Sequence, residues 1–252
     1  MLDIESLLAE SKHFSDRLSK IKKDNPISGG WYGYDIMGNL VHLDRLLSGA
    51  NRSLFDRLSS KAVADIGCAD GDLGFFLETL GFEIDFLDWP ATNWNGLAGV
   101  RRLAELLDSK AQVHAVNLDE YFLMPRPQYE LVFFLGILYH LKNPFYVLER
   151  LARSAKYCFV STRVFRMAPG GEDLSSISVA YLLAADESEN GDATNYWILT
   201  EPCLRRLFQR TGWDVLDFMT VGDQRASNPH SIANDERAFA LLRSRVDSSS
   251  RA

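Results

Sequence analysis

The first 24 residues space Ile4, Leu7, Leu8, Phe14, Leu18 and Ile21 at mostly three- and four-residue intervals, among five acids and five bases. That pattern predicts one amphipathic helix with a solvated face. Asn25-Pro26 and Gly29-Gly30 break it, and helical spacing returns around Leu40 to Leu47. From residue 61 short apolar runs alternate with helical stretches. Strands are expected at 62–66, 83–87, 112–116, 131–135 and 157–161, with helices at 72–80, 96–108 and 145–155. A helix at 201–211 and strands at 213–219 and 237–243 complete the pattern. The expectation is a Rossmann-like α/β fold: seven strands, mostly parallel, with helices on both faces.

Three segments fall outside the alternation. Residues 1–55 form an N-terminal helical extension, and the α/β domain occupies 56–246. Residues 164–200 hold Gly170-Gly171, Asn190-Gly191 and polar clusters around one apolar stretch. They are expected to be an insertion after strand five, forming a cap at the strands' C-terminal edge, where open α/β sheets bind ligands. The polar end at 247–252 is expected to be a disordered tail.

The densest chemical signal is AVADIGCADGDLG at 62–74. A strand ends in Asp65, then Gly67, Ala69, Gly71 and Gly74 lead into a helix. Small residues let backbone approach a ligand, and a helix N-terminus offers free N–H groups. Read as a dinucleotide fingerprint, neither register supplies all three glycines, and no GxxxxGK[ST] is present. A carboxylate ahead of the turn does nothing for a phosphate but suits an ammonium group. Asp88 ends the second strand about 20 residues beyond the turn, where an acid accepts from ribose hydroxyls.

Acid, small-residue turn and second-strand acid together resemble the class I S-adenosylmethionine-dependent methyltransferases. The resemblance implies that Asp65, Gly67, Ala69 and Gly71 line the cofactor and that Asp88 holds its ribose. Asn117 and Leu118, with Asp119, follow strand three, where that family contacts adenine; Trp89 and Trp94 flank Asp88, where an apolar side chain often covers adenine, and packing alone is the alternative. Ala69 departs from the family, in which Gly is commoner. GILYHLKNP at 136–144, WYGYDI at 31–36 and YWILTEPCLRRLFQRTGWDVLDF at 196–218 resemble the tRNA wobble-uridine carboxymethyltransferases and their broader relatives. Leu135 and Gly136 then belong to the cofactor site, and Tyr139 faces its methionine end.

Methyl transfer from an activated sulfonium needs chiefly in-line geometry, with reacting atoms ~3–3.5 Å apart. A base is required only where the acceptor must lose a proton. His140, directly after strand four, is the candidate base; the alternative is that it anchors its loop through a backbone hydrogen bond. Trp31 and Tyr32 either contribute to the acceptor pocket or staple the N-terminal helices to the sheet. Tyr196 and Trp197, at the exit of the insertion, either wall that pocket or pack in the core. Cys68, Cys158 and Cys203 show no metal-ligand spacing, and no metal is expected.

The chain carries 27 Lys and Arg against 34 Asp and Glu, a net charge of −7. The excess is local: residues 167–204 hold seven acids (Glu172, Asp173, Asp186, Glu187, Glu189, Asp192, Glu201) and no Lys or Arg. Where the cap overhangs the site, its acids disfavour a polyanionic acceptor; a solvated loop whose acids serve only solubility is the alternative. The expected function is therefore methyl transfer from S-adenosylmethionine to a small molecule, with S-adenosylhomocysteine as product. A tRNA uridine transferase using carboxy-S-adenosylmethionine, with Arg225 as partner of the extra carboxylate, is the first alternative. A binding module without turnover is the second. Without a basic, apolar leader or a membrane-length apolar run, the protein is expected in the cytoplasm.

Overall fold

The computed structural model describes residues 4–187, 191–231 and 233–246. The chain divides into two compact units, Met1–Phe133 and Phe134–Ala252. The tail expected at 247–252, and Glu189 of the acidic stretch, lie outside the described residues.

The first unit begins with α1 (Ile4–Asp24) and α2 (Asn39–Leu46). The apolar stripe of α1 is buried through Ile4, Leu7, Phe14 and Leu18, and Phe14 meets Phe76 with ring centroids 5.6 Å apart. Then follow β1 (Ala62–Ile66), α3 (Asp72–Thr79), β2 (Glu83–Asp88), α4 (Ala98–Leu106), β3 (Gln112–Ala115) and β4 (Tyr129–Leu135), which runs into the second unit. The sheet order is β3-β2-β1-β4, parallel throughout. Val63, Ala64 and Ile66 of β1 and Leu131 to Phe134 of β4 are buried, as continuous apolar runs in a sheet covered on both faces should be. Gly74 lets α3 lie against β2, because a Cβ there would overlap the ring of Phe86.

The second unit continues with α5 (Pro144–Ser154), β5 (Ala155–Val164), β6 (Ala180–Leu182), β7 (Trp197–Leu199), α6 (Glu201–Arg210), β8 (Trp213–Gly222) and β9 (Glu236–Ser244). Asn143 caps α5, its side chain accepting from the Tyr146 amide, and Pro144 takes the first helical position, where its missing N–H costs nothing. Strand β5 pairs antiparallel with β9 over 157–164, and β9 pairs antiparallel with β8, with a bulge between Val215 and Asp217. On its other side β5 meets β7, in parallel, through Val164 and Leu199.

All seven strands expected from the sequence are present. The described residues add two short ones, β6 and β7, which form an antiparallel pair within 164–200. This segment is thus partly hydrogen-bonded into the sheet, and its Leu183 and Ile198 join Tyr139 and Phe165 in one buried cluster.

Candidate functional site

In the first unit the site is built on the turn between β1 and α3. Gly67, Ala69 and Gly71 have φ of 69°, 54° and 85°, left-handed values that cost a residue with a Cβ about 1–2 kcal/mol. Ala69 is held there: its N–H donates to Asp88 Oδ2 at 3.2 Å and its carbonyl accepts from Asn93 Nδ2 at 3.4 Å. The Gly67 amide donates to the Leu87 carbonyl at 2.8 Å, fixing the turn to β2. Gly71 serves packing as well as φ, since a Cβ would come within 2.9 Å of Phe75 and Val100.

Asp65 is 6 % exposed. The Gly74 amide donates to it, yet its Oδ2 is buried without a hydrogen-bond partner. Burial, with the nearby charges of Asp88 and Asp72, pushes its pKa up to about 7. An unmatched buried carboxylate oxygen favours an incoming cation. Asp88 is also raised by burial, against hydrogen bonds from Asn93, Trp89 and Ala69. Its Oδ2 takes Ala69 and Asn93, whereas Oδ1 takes only the Trp89 amide at 2.7 Å. Oδ1 is therefore the atom with capacity for a ligand hydroxyl.

Trp89, Val116, Asn117, Glu120, Tyr121 and Leu123 line an open cleft of about 300 Å³. Asn117 is tied into the turn, donating to Glu120 and accepting from the Asp119 amide, and Leu118 is buried.

The segment around Trp31 and Tyr32 is fastened to the turn. Buried Asp70 accepts from Lys22 Nζ at 2.9 Å, the Tyr32 amide at 2.8 Å and Asn95 Nδ2 at 2.8 Å. Trp31 Nε1 donates to the Lys22 carbonyl and Tyr32 Oη accepts from the Trp94 amide. Burial raises the Tyr32 phenol well above its ordinary range. Stapling is what these contacts do. The Lys22–Asp70–Asp72 group could not be read from sequence, because its members lie about 50 residues apart.

In the second unit Gly136, at φ 74°, follows Leu135 and donates to the Ser161 carbonyl. A short 3-10 turn then presents Tyr139 and His140, whose rings lie 4.2 Å apart. Tyr139 is buried, its carbonyl accepts from the Tyr196 amide at 2.8 Å, and Trp197 Nε1 donates to the Lys142 carbonyl. The guanidinium set against Tyr139 is that of Arg237, 3.5 Å from the phenol oxygen, and not the expected Arg225, which lies in a turn capped by Asp223. Asp235 couples Arg237 to the buried Arg163, at 3.2 and 2.7 Å. His140 Nδ1 meets Thr194 Oγ1 at 2.8 Å, and burial lowers its pKa. Nothing in the sequence singled out Arg237 or Thr194, and Asp192 stood out only as one of the acids of residues 167–204.

The sequence matches no protein-family profile and no curated protein. Solved structures do match. The N-terminal domain of EvdMO1, crystallised with S-adenosylhomocysteine, is 17 % identical, with 97 % of this chain and 98 % of that one covered at a TM-score of 0.59. An S-adenosylmethionine-dependent methyltransferase from Mesorhizobium loti is 14 % identical over 81 % of this chain and 97 % of that one, at 0.58. The Burkholderia thailandensis 1,6-didemethyltoxoflavin-N1-methyltransferase is 20 % identical over 76 % and 74 %, at 0.51. The fold is the Rossmann-like fold of these structures. No group of metal-ligating side chains occurs among the described residues.

Proposed function

We propose that this protein is an S-adenosylmethionine-dependent methyltransferase acting on a small-molecule acceptor. The observation that carries the reading is Asp65, a buried carboxylate with one oxygen unpartnered, at the strand end before a left-handed turn. That oxygen would accept from the ammonium of the cofactor's methionine part, Asp88 Oδ1 from a ribose hydroxyl, and the cleft beside Trp89 would take the purine. When bound, the cofactor supplies an electrophilic methyl group. The chain's own contribution is to hold the ligand, exclude water and orient the acceptor, for which the loop of Tyr139 and His140, with Tyr196 and Trp197, is the candidate.

Calorimetry with S-adenosylmethionine and S-adenosylhomocysteine tests this. Both should bind, and Asp65→Asn should weaken both by about 10- to 100-fold, the range of a lost hydrogen bond to a charged group. Absence of binding would refute the reading, and binding without methyl transfer to a metabolite extract would favour a non-catalytic module. A second reading, carboxymethyl transfer to a tRNA wobble uridine, draws on the Arg237 guanidinium beside Tyr139. Tighter binding of carboxy-S-adenosylmethionine than of S-adenosylmethionine would select it.

A further inference from the structure

The two ring nitrogens of His140 have different surroundings. Nδ1 lies 2.8 Å from Thr194 Oγ1 and 3.3 Å from the Thr194 carbonyl oxygen. Nε2 has no hydrogen-bond partner among the described residues. The Thr194 hydroxyl lies 2.6 Å from Asp192 Oδ1, which also accepts the Thr194 amide at 2.9 Å. A carboxylate only accepts, so the single hydroxyl proton of Thr194 points at Asp192. The threonine oxygen is then left to accept, and the carbonyl oxygen can do nothing else. Both contacts require the proton of neutral His140 to sit on Nδ1. The lone pair consequently sits on Nε2, the nitrogen without a protein partner, on a side chain 28 % exposed.

We infer that His140 is the general base of the transfer, through Nε2, and that Thr194 and Asp192, supplied by the segment inserted after β5, are positioning residues that set its tautomer. This rests on the methyltransferase reading above and specifies its acceptor as a hydroxyl or N–H group. The acceptor's O–H or N–H bond breaks as the new bond to the methyl carbon forms, and the proton passes to Nε2. The electron pair of the broken sulfur–methyl bond stays on sulfur, and the imidazolium returns its proton to water. Anchor and base are compatible roles here because each uses a different nitrogen. The charged groups facing the ring are Asp192, 3.8 Å from Nδ1, and the cations Arg237 and Arg163. The cations keep the imidazole neutral and favour an acceptor that becomes anionic. Burial, the largest influence, acts in the same direction as the cations.

The tautomer is measurable without cofactor, by nitrogen-15 NMR of the histidine rings at pH 7.5. The expected signature for His140 is a protonated Nδ1 and an unprotonated Nε2, lost or mixed in Thr194→Val. A protonated Nε2 in the wild type, or a signature indifferent to Thr194→Val, overturns the relay. With saturating cofactor, His140→Gln should lower turnover by about 100-fold or more, the usual scale for a lost general base, and leave cofactor affinity within about threefold. Asp192→Asn removes a charge that raises the His140 pKa, so the acid limb of the pH–rate profile should move to lower pH. Unchanged turnover in His140→Gln, or an acid limb unmoved in Asp192→Asn, overturns the base role. Failure of cofactor binding overturns the parent reading and leaves the tautomer result standing.

Discussion

Asp65 ties affinity to pH. Its pKa of about 7 in the free protein lies well above the ordinary carboxylate value of 3.8, chiefly through burial. A bound ammonium group requires the ionised form, so cofactor affinity should rise from pH 6 towards pH 8 and level off above. Calorimetry across that range, with Asp65→Asn as the flat control, checks it. Stability carries the opposite sign. A carboxyl whose folded pKa exceeds its unfolded pKa contributes stability below the lower value and loses it as pH rises through the higher one. At pH 8 Asp65→Asn should therefore stabilise the ligand-free protein, by at most about 4 kcal/mol for a shift of about three units, measured by urea unfolding. Asp65 and Asp88 were legible in the sequence because each ends a strand beside a glycine-rich turn. Arg237, Asp192, Thr194 and Lys22 were not, because their partners lie far along the chain or within an irregular segment, where periodicity carries no information.

Elements were legible where burial is continuous. Strands β1, β2 and β4 and helices α3 and α5 fall within two residues of their expected ends, since long apolar runs between glycine and Asn-Pro signals leave little choice. Strands β6 and β7 were missed: each has three residues, too few for alternation to register, and pairing specifies them rather than propensity. Helix α3 depends on Gly74. Gly74→Ala would force Phe86 aside and should cost about 1–3 kcal/mol, as overpacking does, visible as a lower urea midpoint. Helix α1 is fastened by Lys22, 14 % exposed, against Asp70 and Asp72. Lys22→Met leaves two buried carboxylates without their cation and should cost about 3–5 kcal/mol. Hydrogen exchange should show the loss first in residues 4–36, because Asp70 also holds the Tyr32 amide.

At the scale of the whole molecule, the charge excess read from the sequence is real but partly committed. Glu201 pairs with Arg205, Glu187 approaches His230, and Asp192 faces His140. The segment is thus less bare an acidic surface than its composition implies, and its bearing on the acceptor weakens accordingly. Among the described residues, the cations acting on His140 include Arg237 and Arg163, both already shared with Asp235. A protein reading tRNA through phosphates needs several unshared cations and a steep salt dependence. Bulk tRNA should accordingly fail to retard this protein in a gel at 150 mM salt; retention with a steep salt slope would move the acceptor to RNA. Among the described residues no helix is long and apolar enough to cross a membrane. Fold class could be read from the sequence because β-α alternation is a property of the entire chain, whereas acceptor chemistry resides in a few side chains that only folding brings together.

On the proposed reading, the bond from Ala69 N–H to Asp88 gives position 88 two duties, one towards a ribose and one towards a left-handed alanine. Loss of Asp88 would then remove a ligand contact and also release a strained backbone, so a single substitution there confounds the two. Glycine at 69 makes the second duty dispensable. A double-mutant cycle over Ala69→Gly and Asp88→Asn should show stability coupling of about 0.5–3 kcal/mol, the range for residues in contact. With glycine at 69, position 88 would answer to the ligand alone; with alanine there, it answers to the backbone as well.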